Sequence, residues 1–244
     1  MKETGLMFKA PLVRGILDDL KTQTRRAFSE HMMKQMRAAA AIGEVSHFLD
    51  EGSLQPNDLA YVLQFSPVGQ PGDRIYVRET WQGPLMSAKE WEDHYFSKAD
   101  ELPSKFKTPA YCKYAADGGA PPEFMTMDDD IVARWKPSIH MPKWAARIWL
   151  EITGVRVERL QSISRGDAMA EGCPFPNMAD GEDPRKWFAE LWDSTTDRPA
   201  LPKNENSKRH ARVKHWLDTH TDTTSWAANP WVWVIDFKRI EKLR

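Results

Sequence analysis

The stretch Leu12-Val13-Arg14-Gly15-Ile16-Leu17-Asp18-Asp19-Leu20, followed by Lys21-Thr22-Gln23-Thr24-Arg25-Arg26, decides how the rest of the chain is read. Leu12, Val13, Ile16, Leu17 and Leu20 recur at helical spacing as one apolar stripe, and Pro11 suits the first position of such a helix. Lys21 therefore stands at a helix exit. An amine, two hydroxyls and two guanidinium groups within six residues are too polar for a core. Two readings follow: a solvated basic turn, or an anion-binding and catalytic loop in which arginine presents planar donor forks and lysine an amine of tunable pKa. In a regular strand Lys21 and Thr24 would point to opposite faces, so joint work at one site requires the segment to turn before it extends.

Working outward, Gly5 to Lys9 predicts a short first strand. Residues 27–66 read as an insertion, with a helix from Ser29 to about Ile42 that carries Met32, Met33, Met36 and Ala40 on one side, a stripe suited to packing. Pro71-Gly72-Asp73 is a turn signal. It leads into Arg74-Ile75-Tyr76-Val77-Arg78-Glu79-Thr80-Trp81, a strand with Arg74, Tyr76, Arg78 and Thr80 on one face. Arg78 and Glu79 beside Trp81 are either a solvated strand end or a pocket rim.

Residues 82–135 are polar and irregular, with a helix candidate near Lys89 to Phe96 and the run Asp128, Asp129, Asp130, whose spacing matches no calcium loop. In the block from Trp135 to Arg147, Pro137 and Pro142 frame His140, and Lys136, Lys143 and Arg147 accompany Trp135 and Trp144. This is the composition of a phosphate-and-base surface, and equally that of a proline-stiffened loop locking rings into the core. No cysteine or second histidine stands at ligand spacing from His140.

Ile148 to Thr153 predicts a strand, with Gly154 marking a bulge or bend before a continuation through Val155 and Val157. Ser164-Arg165-Gly166-Asp167 has the form of a capping box, so a short helix should run from Arg165 to Glu171 and stop at Gly172. Glu171 then sits in the last turn, where the helix dipole disfavours an anion. Such a breach of a local rule marks functional sites and suits a carboxyl that donates a proton. Asp183-Pro184 starts a helix whose Trp187, Phe188, Leu191 and Trp192 belong to a core. Residues 194–225, with Lys208, Arg209, Arg212, Lys214 and histidines at 210, 215 and 220, read as a flexible, locally basic insertion. Trp231 to Phe237 is apolar on both faces and so a central strand.

The chain has 244 residues, with 34 lysines and arginines against 35 aspartates and glutamates, for a formal net charge of -1. Nothing global draws it to nucleic acid or acidic membranes, so a nucleic-acid site must be a local patch. Cys112 and Cys173 form no CxxC spacing, so neither a zinc ribbon nor a disulfide framework is suggested. No apolar signal-peptide core and no run of about 18 apolar residues occurs, so a reduced cytoplasmic protein without a membrane partner is expected. Eleven tryptophans serve cores and base stacking equally well.

In their order, Lys21 to Arg26, Pro71 to Glu79, Leu150 to Val155, Ile163 to Gly172 and Trp231 to Phe237 resemble the motifs of the ASCH domain proteins, which are related to the PUA fold. The Pro137 to Arg147 block is similar to their longer phage and prophage members in particular. The resemblance implies an α+β protein: a single PUA-like domain over residues 1–244, built on a small β-barrel with a cleft, decorated by helices and by insertions at about 27–66, 82–135 and 173–225. Compact bacterial relatives are amidohydrolases that remove the acetyl group from N4-acetylcytidine with a lysine, a threonine three residues on, and a helical glutamate. Motif to motif these correspond to Lys21, Thr24 and Glu171, with no metal and no cofactor.

The chemistry fits those residue types. Thr24 attacks an amide carbonyl if a base accepts its proton, and Lys21 is that base only if desolvation or a nearby cation lowers its pKa from about 10.4. Arg25 and Arg26 are such cations, and either also suits an oxyanion or a phosphate. Glu171 would protonate the leaving amine. The expected partner is RNA or a modified nucleoside, held by Arg25, Arg26, Arg78, Glu79, Trp81, His140, Lys143 and Trp144. Two alternatives stand beside the hydrolase: a non-catalytic PUA-like RNA-binding module, and a ribonuclease acting on single-stranded RNA.

Overall fold

The computed structural model describes residues 1–87, 89–90, 92–93, 103–125, 130–174, 183–195, 207–219 and 222–241. Asp128, Asp129, His220 and part of the helix expected near Lys89 to Phe96 lie outside them. The strands are β1 (Glu3–Met7), β2 (Gln23–Ala27), β3 (Arg74–Arg78), β4 (Trp81–Gln82), β5 (Lys113–Tyr114), β6 (Glu123–Met125), β7 (Ile131–Ala133), β8 (Trp149–Arg159) and β9 (Trp231–Ile240). The helices are α1 (Ala10–Leu17), α2 (Glu30–Ala41), α3 (Phe48–Glu51), α4 (Pro56–Leu63), α5 (Arg165–Ala170), α6 (Pro184–Thr195) and α7 (Lys208–Thr219).

Five strands form one mixed sheet in the order β1-β3-β8-β9-β2, with β1 parallel and β8 antiparallel to β3. The protein is thus a mixed α and β fold, and among the described residues the sheet is open, with β1 and β2 as its edges. β4 with β5, and β6 with β7, make two-stranded ribbons. Among the described residues no helix is long and apolar enough to cross a membrane.

The chain divides into two compact units, and β8 and β9 each contribute to both. The first comprises Met1–Thr22, Pro67–Gly154 and Asp236–Arg244. Here β3 alternates as its sequence dictates, with Ile75 and Val77 fully buried and Arg74, Tyr76 and Arg78 on the other face. The strand stops at Arg78, so Thr80 lies beyond it rather than on that face. Leu150 and Ile152 are fully buried, as are Val13 and Ile16 of α1. The Tyr76 ring lies over Gly5, its partner across the parallel pair, where a Cβ would stand 2.5 Å from the ring. A separate cluster gathers Trp81, Tyr114, Met141, Ala145, Ala146 and Trp149, with Trp144 against it.

The second unit comprises Gln23–Ser66 and Val155–Ile235. α2 begins at Ser29, whose hydroxyl caps the Met32 N–H, and it buries Met32, Met36, Ala39 and Ala40. Met33, one position off that stripe, is only half-buried. The segment after it, in which the sequence signalled no further helix, adds α3 and α4. Leu160, Ile163, Ala168, Phe188, Trp192, Val232 and Val234 make the core, with Trp187 and Leu191 at its margin. Phe28 stacks on Trp233, and Phe48 meets Trp231 edge-on. The expectation of a flexible 194–225 is corrected at α7: its abundant charge hides helical periodicity in the sequence, yet residues 208–219 form a regular helix.

Candidate functional site: a guanidinium and its three carboxylates

Helix α1 ends in a tight turn. Asp19 takes a positive φ of 56°, and the N–H groups of Leu20 and Lys21 both donate to the Gly15 carbonyl at 2.9 Å. This turn swings the chain from helix into strand and sends Lys21 inward. Its side chain is only 2% exposed, with Nζ 6.0 Å from the centre of the Phe8 ring.

Beyond Lys21 the chain extends as β2, and the two-residue period places Gln23 and Arg25 on one face and Thr24 and Arg26 on the other. Thr24 is buried. The Arg25 side chain is completely enclosed and faces three carboxylates. Its Nε and one terminal nitrogen donate to Glu158 Oε1 at 3.1 and 2.6 Å. The other donates to Glu171 Oε1 at 3.1 Å and to Gln23 Oε1 at 2.5 Å. Asp167 stands 3.6 Å away, and the guanidinium carbon is 5.6 Å from the Phe188 ring centre.

Those acids are delivered by two neighbouring elements. Glu158 comes from the far end of β8, two residues after Arg156, which bonds Asp167 at 2.8 Å and approaches Glu158 at 3.5 Å. Asp167 and Glu171 come from α5. Ser164 caps that helix by accepting the Asp167 N–H at 3.0 Å, and the Ser164 backbone N–H donates back to the Asp167 carboxylate at 3.4 Å, completing the capping box; the Ser164 hydroxyl also donates to that carboxylate at 2.8 Å. Asp167 also accepts from Gln23 Nε2 at 3.0 Å. Burial pushes its pKa up, but the bonds from Ser164 and Gln23 and the charges of Arg156 and Arg25 outweigh this and hold it at about 2.

Gly172, at φ 94°, ends α5 immediately after Glu171. The Glu171 side chain at this disfavoured helix end is 4% exposed and has the Arg25 guanidinium as counter-charge. Arg26 is held below its ordinary pKa by burial, against the opposing pull of Glu171. Three guanidinium groups (Arg25, Arg26 and Arg156) thus balance three carboxylates. Sequence reasoning missed Arg156 and Glu158. Their alternation past Gly154 was the available signal, since a strand continuing there puts both on one face.

The remaining candidate residues belong to the first unit and are committed within it. Arg78 donates to the carbonyls of Ile139 and Met141, pinning the proline-framed block to β3. Glu79, 1% exposed, receives Arg147 through two bonds of 2.9 and 3.1 Å. Arg147 also pairs with Asp117 at 2.7 Å and lies 4.0 Å from the Tyr114 ring centre. Burial pushes the Glu79 carboxyl up, against the pull of Arg147. Trp81 is buried, with Trp144 edge-on at 5.6 Å. Lys143 pairs with Glu3 and approaches the Trp149 ring, and His140 is exposed on a 3₁₀ turn. Arg25, Arg78 and Lys143, singled out as phosphate contacts, are in this structure engaged with protein partners.

Among the described residues no three histidine, cysteine, aspartate or glutamate side chains are arranged to hold a metal ion. Compared with family models, curated proteins and solved structures, the chain matches none.

Proposed function

We propose that the protein is a metal-independent amidohydrolase of the ASCH type, acting on an N4-acylated cytidine or a related modified nucleoside, with its five-stranded sheet corresponding to the family's PUA-like barrel. The observation that carries this reading is the Arg25–Glu171 pair. It joins the Lys21 to Arg26 stretch to the helix end from which the proposed proton donor projects, 146 residues away in sequence. Enclosure of Arg25 holds the Glu171 carboxyl in one orientation, as a group that meets a leaving amine requires.

In the proposed reaction the Thr24 hydroxyl attacks the amide carbonyl carbon while the Lys21 amine takes its proton, and Arg26 stabilises the oxyanion. Collapse breaks the C–N4 bond as the departing cytidine nitrogen takes, through Glu171, the proton that Lys21 received, so the carboxylate paired with Arg25 ends in its resting charge. Water then hydrolyses the threonine ester, releasing the carboxylic acid and returning the proton inventory to its start.

The test is acetate release from N4-acetylcytidine in the presence of a chelator. Lys21→Ala and Thr24→Ala should each reduce kcat by about 10² to 10⁴-fold. Absence of release from folded wild-type protein overturns the hydrolase reading. Salt-dependent RNA binding that survives Thr24→Ala without any acetate release would instead favour a binding module.

A further inference from the structure

Helix α7 opens with Lys208-Arg209-His210-Ala211-Arg212-Val213-Lys214-His215, which holds four lysines and arginines and no acid, in a chain of net charge -1. At about 100° per residue Lys208, Arg209, Arg212 and His215 fall on one face, with His210 opposite Lys208 and Arg212. The burial pattern agrees: His210 is 9% exposed, whereas Lys208, Arg209, Arg212, Lys214 and His215 are all exposed. The helix therefore docks through its histidine side and turns its cations outward. Among the described residues none of Lys208, Arg209, Arg212 and Lys214 makes an ion pair, in contrast to the engaged Arg25, Arg78 and Lys143.

We propose that this face of α7 grips the phosphate backbone of single-stranded RNA. If the site hydrolyses acylated cytidine, the reading on which this assignment rests, α7 extends its substrates from the free nucleoside to one within an RNA strand. Charge complementarity selects the polyanion. A bilayer would need an apolar face beside the basic one, and the side of the helix opposite its cations is taken up by the docked His210. Phosphate contacts are sequence-independent and carry affinity, so α7 holds the strand without choosing the base.

The experiment compares wild type with the triple variant Lys208→Gln, Arg209→Gln, Arg212→Gln, and with the control Lys34→Gln, which removes an exposed cation from α2. Binding of a labelled single-stranded RNA is followed by anisotropy from about 50 to 200 mM salt. Neutralising three contacts should make the log–log salt slope shallower by about 2 and weaken low-salt binding at least about tenfold. Lys34→Gln should change neither, and release of acetate from free N4-acetylcytidine should be the same in all three proteins. An unchanged slope in the triple variant overturns the proposal. So does loss of binding to anionic vesicles with RNA binding intact, or hydrolysis of the free nucleoside by a wild type that binds no RNA. RNA binding through α7 without hydrolysis of any acylated cytidine would leave the helix assignment standing and remove the hydrolase.

Discussion

Replacing Arg25 by alanine removes the shared counter-charge of three acids at once, and the structure indicates what each then loses. Glu158 and Asp167 are about one-fifth exposed and keep Arg156 at 3.5 and 2.8 Å, so water and a remaining cation soften their loss. Glu171 is 4% exposed and bears most of the cost. Breaking a buried pair by deleting one partner costs about 3–5 kcal/mol, and the relief available to the other acids places this case near 3 kcal/mol. For a chain of this size that lowers Tm by about 6–12 °C. Urea unfolding of Arg25→Ala at several pH values supplies the assay, with Arg25→Met as a control that restores packing against Phe188 without the charge. The sign with pH is defined. Asp167, held at about 2 in the folded state against about 3.9 unfolded, contributes stability that is complete above about pH 4 and lost as pH falls towards 2. The variant lacks the Arg25 share of that contribution from the outset, so the two stability curves should converge in acid. A deficit below about 1 kcal/mol at pH 7, or an equal deficit at pH 7 and pH 3, would refute the electrostatic account.

Asp167→Asn should flatten the acid limb of the stability curve between about pH 4 and 2, measured by urea midpoints; a limb as steep as in wild type would assign the acid loss to other groups. Ser164→Ala breaks the capping box of α5 and should cost about 1 kcal/mol, with a smaller penalty in an Asp167→Asn background because the two side chains share a bond. Leu150→Ala empties a fully buried position in β8 and should cost about 2–5 kcal/mol, read by thermal unfolding.

Much of this was legible where chemistry is local. The capping box at Ser164 and the stop at Gly172 needed only neighbouring residues, as did the exit of α1 towards Lys21. The apolar faces of Trp231 to Phe237 marked β9 as interior, and it lies between β8 and β2. What stayed hidden was pairing at long range. Glu158 and Glu171 reach Arg25 from 133 and 146 residues away, and nothing in the local pattern of Arg156 and Glu158 says which cation they will face. Composition is also silent about partners. Arg25, Arg78 and Lys143 drew attention as phosphate contacts because a cation in sequence carries no label for its partner, while α7 read as a loose insertion because its charge outweighs a short apolar stripe of Val213, Trp216 and Leu217.

Strand β9 gives Trp231–Ile235 to one unit and Asp236–Ile240 to the other; the unit that takes Asp236–Ile240 draws its other segments from far earlier in the chain, whereas the unit that takes Trp231–Ile235 runs from Val155 straight into the strand. During synthesis on a ribosome, neither unit can therefore be finished ahead of its neighbour: both remain incomplete until the same ten residues emerge. Until then Phe28, whose N–H bonds the Trp231 carbonyl, and strand β8, the neighbour of β9 in the sheet, lack that partner.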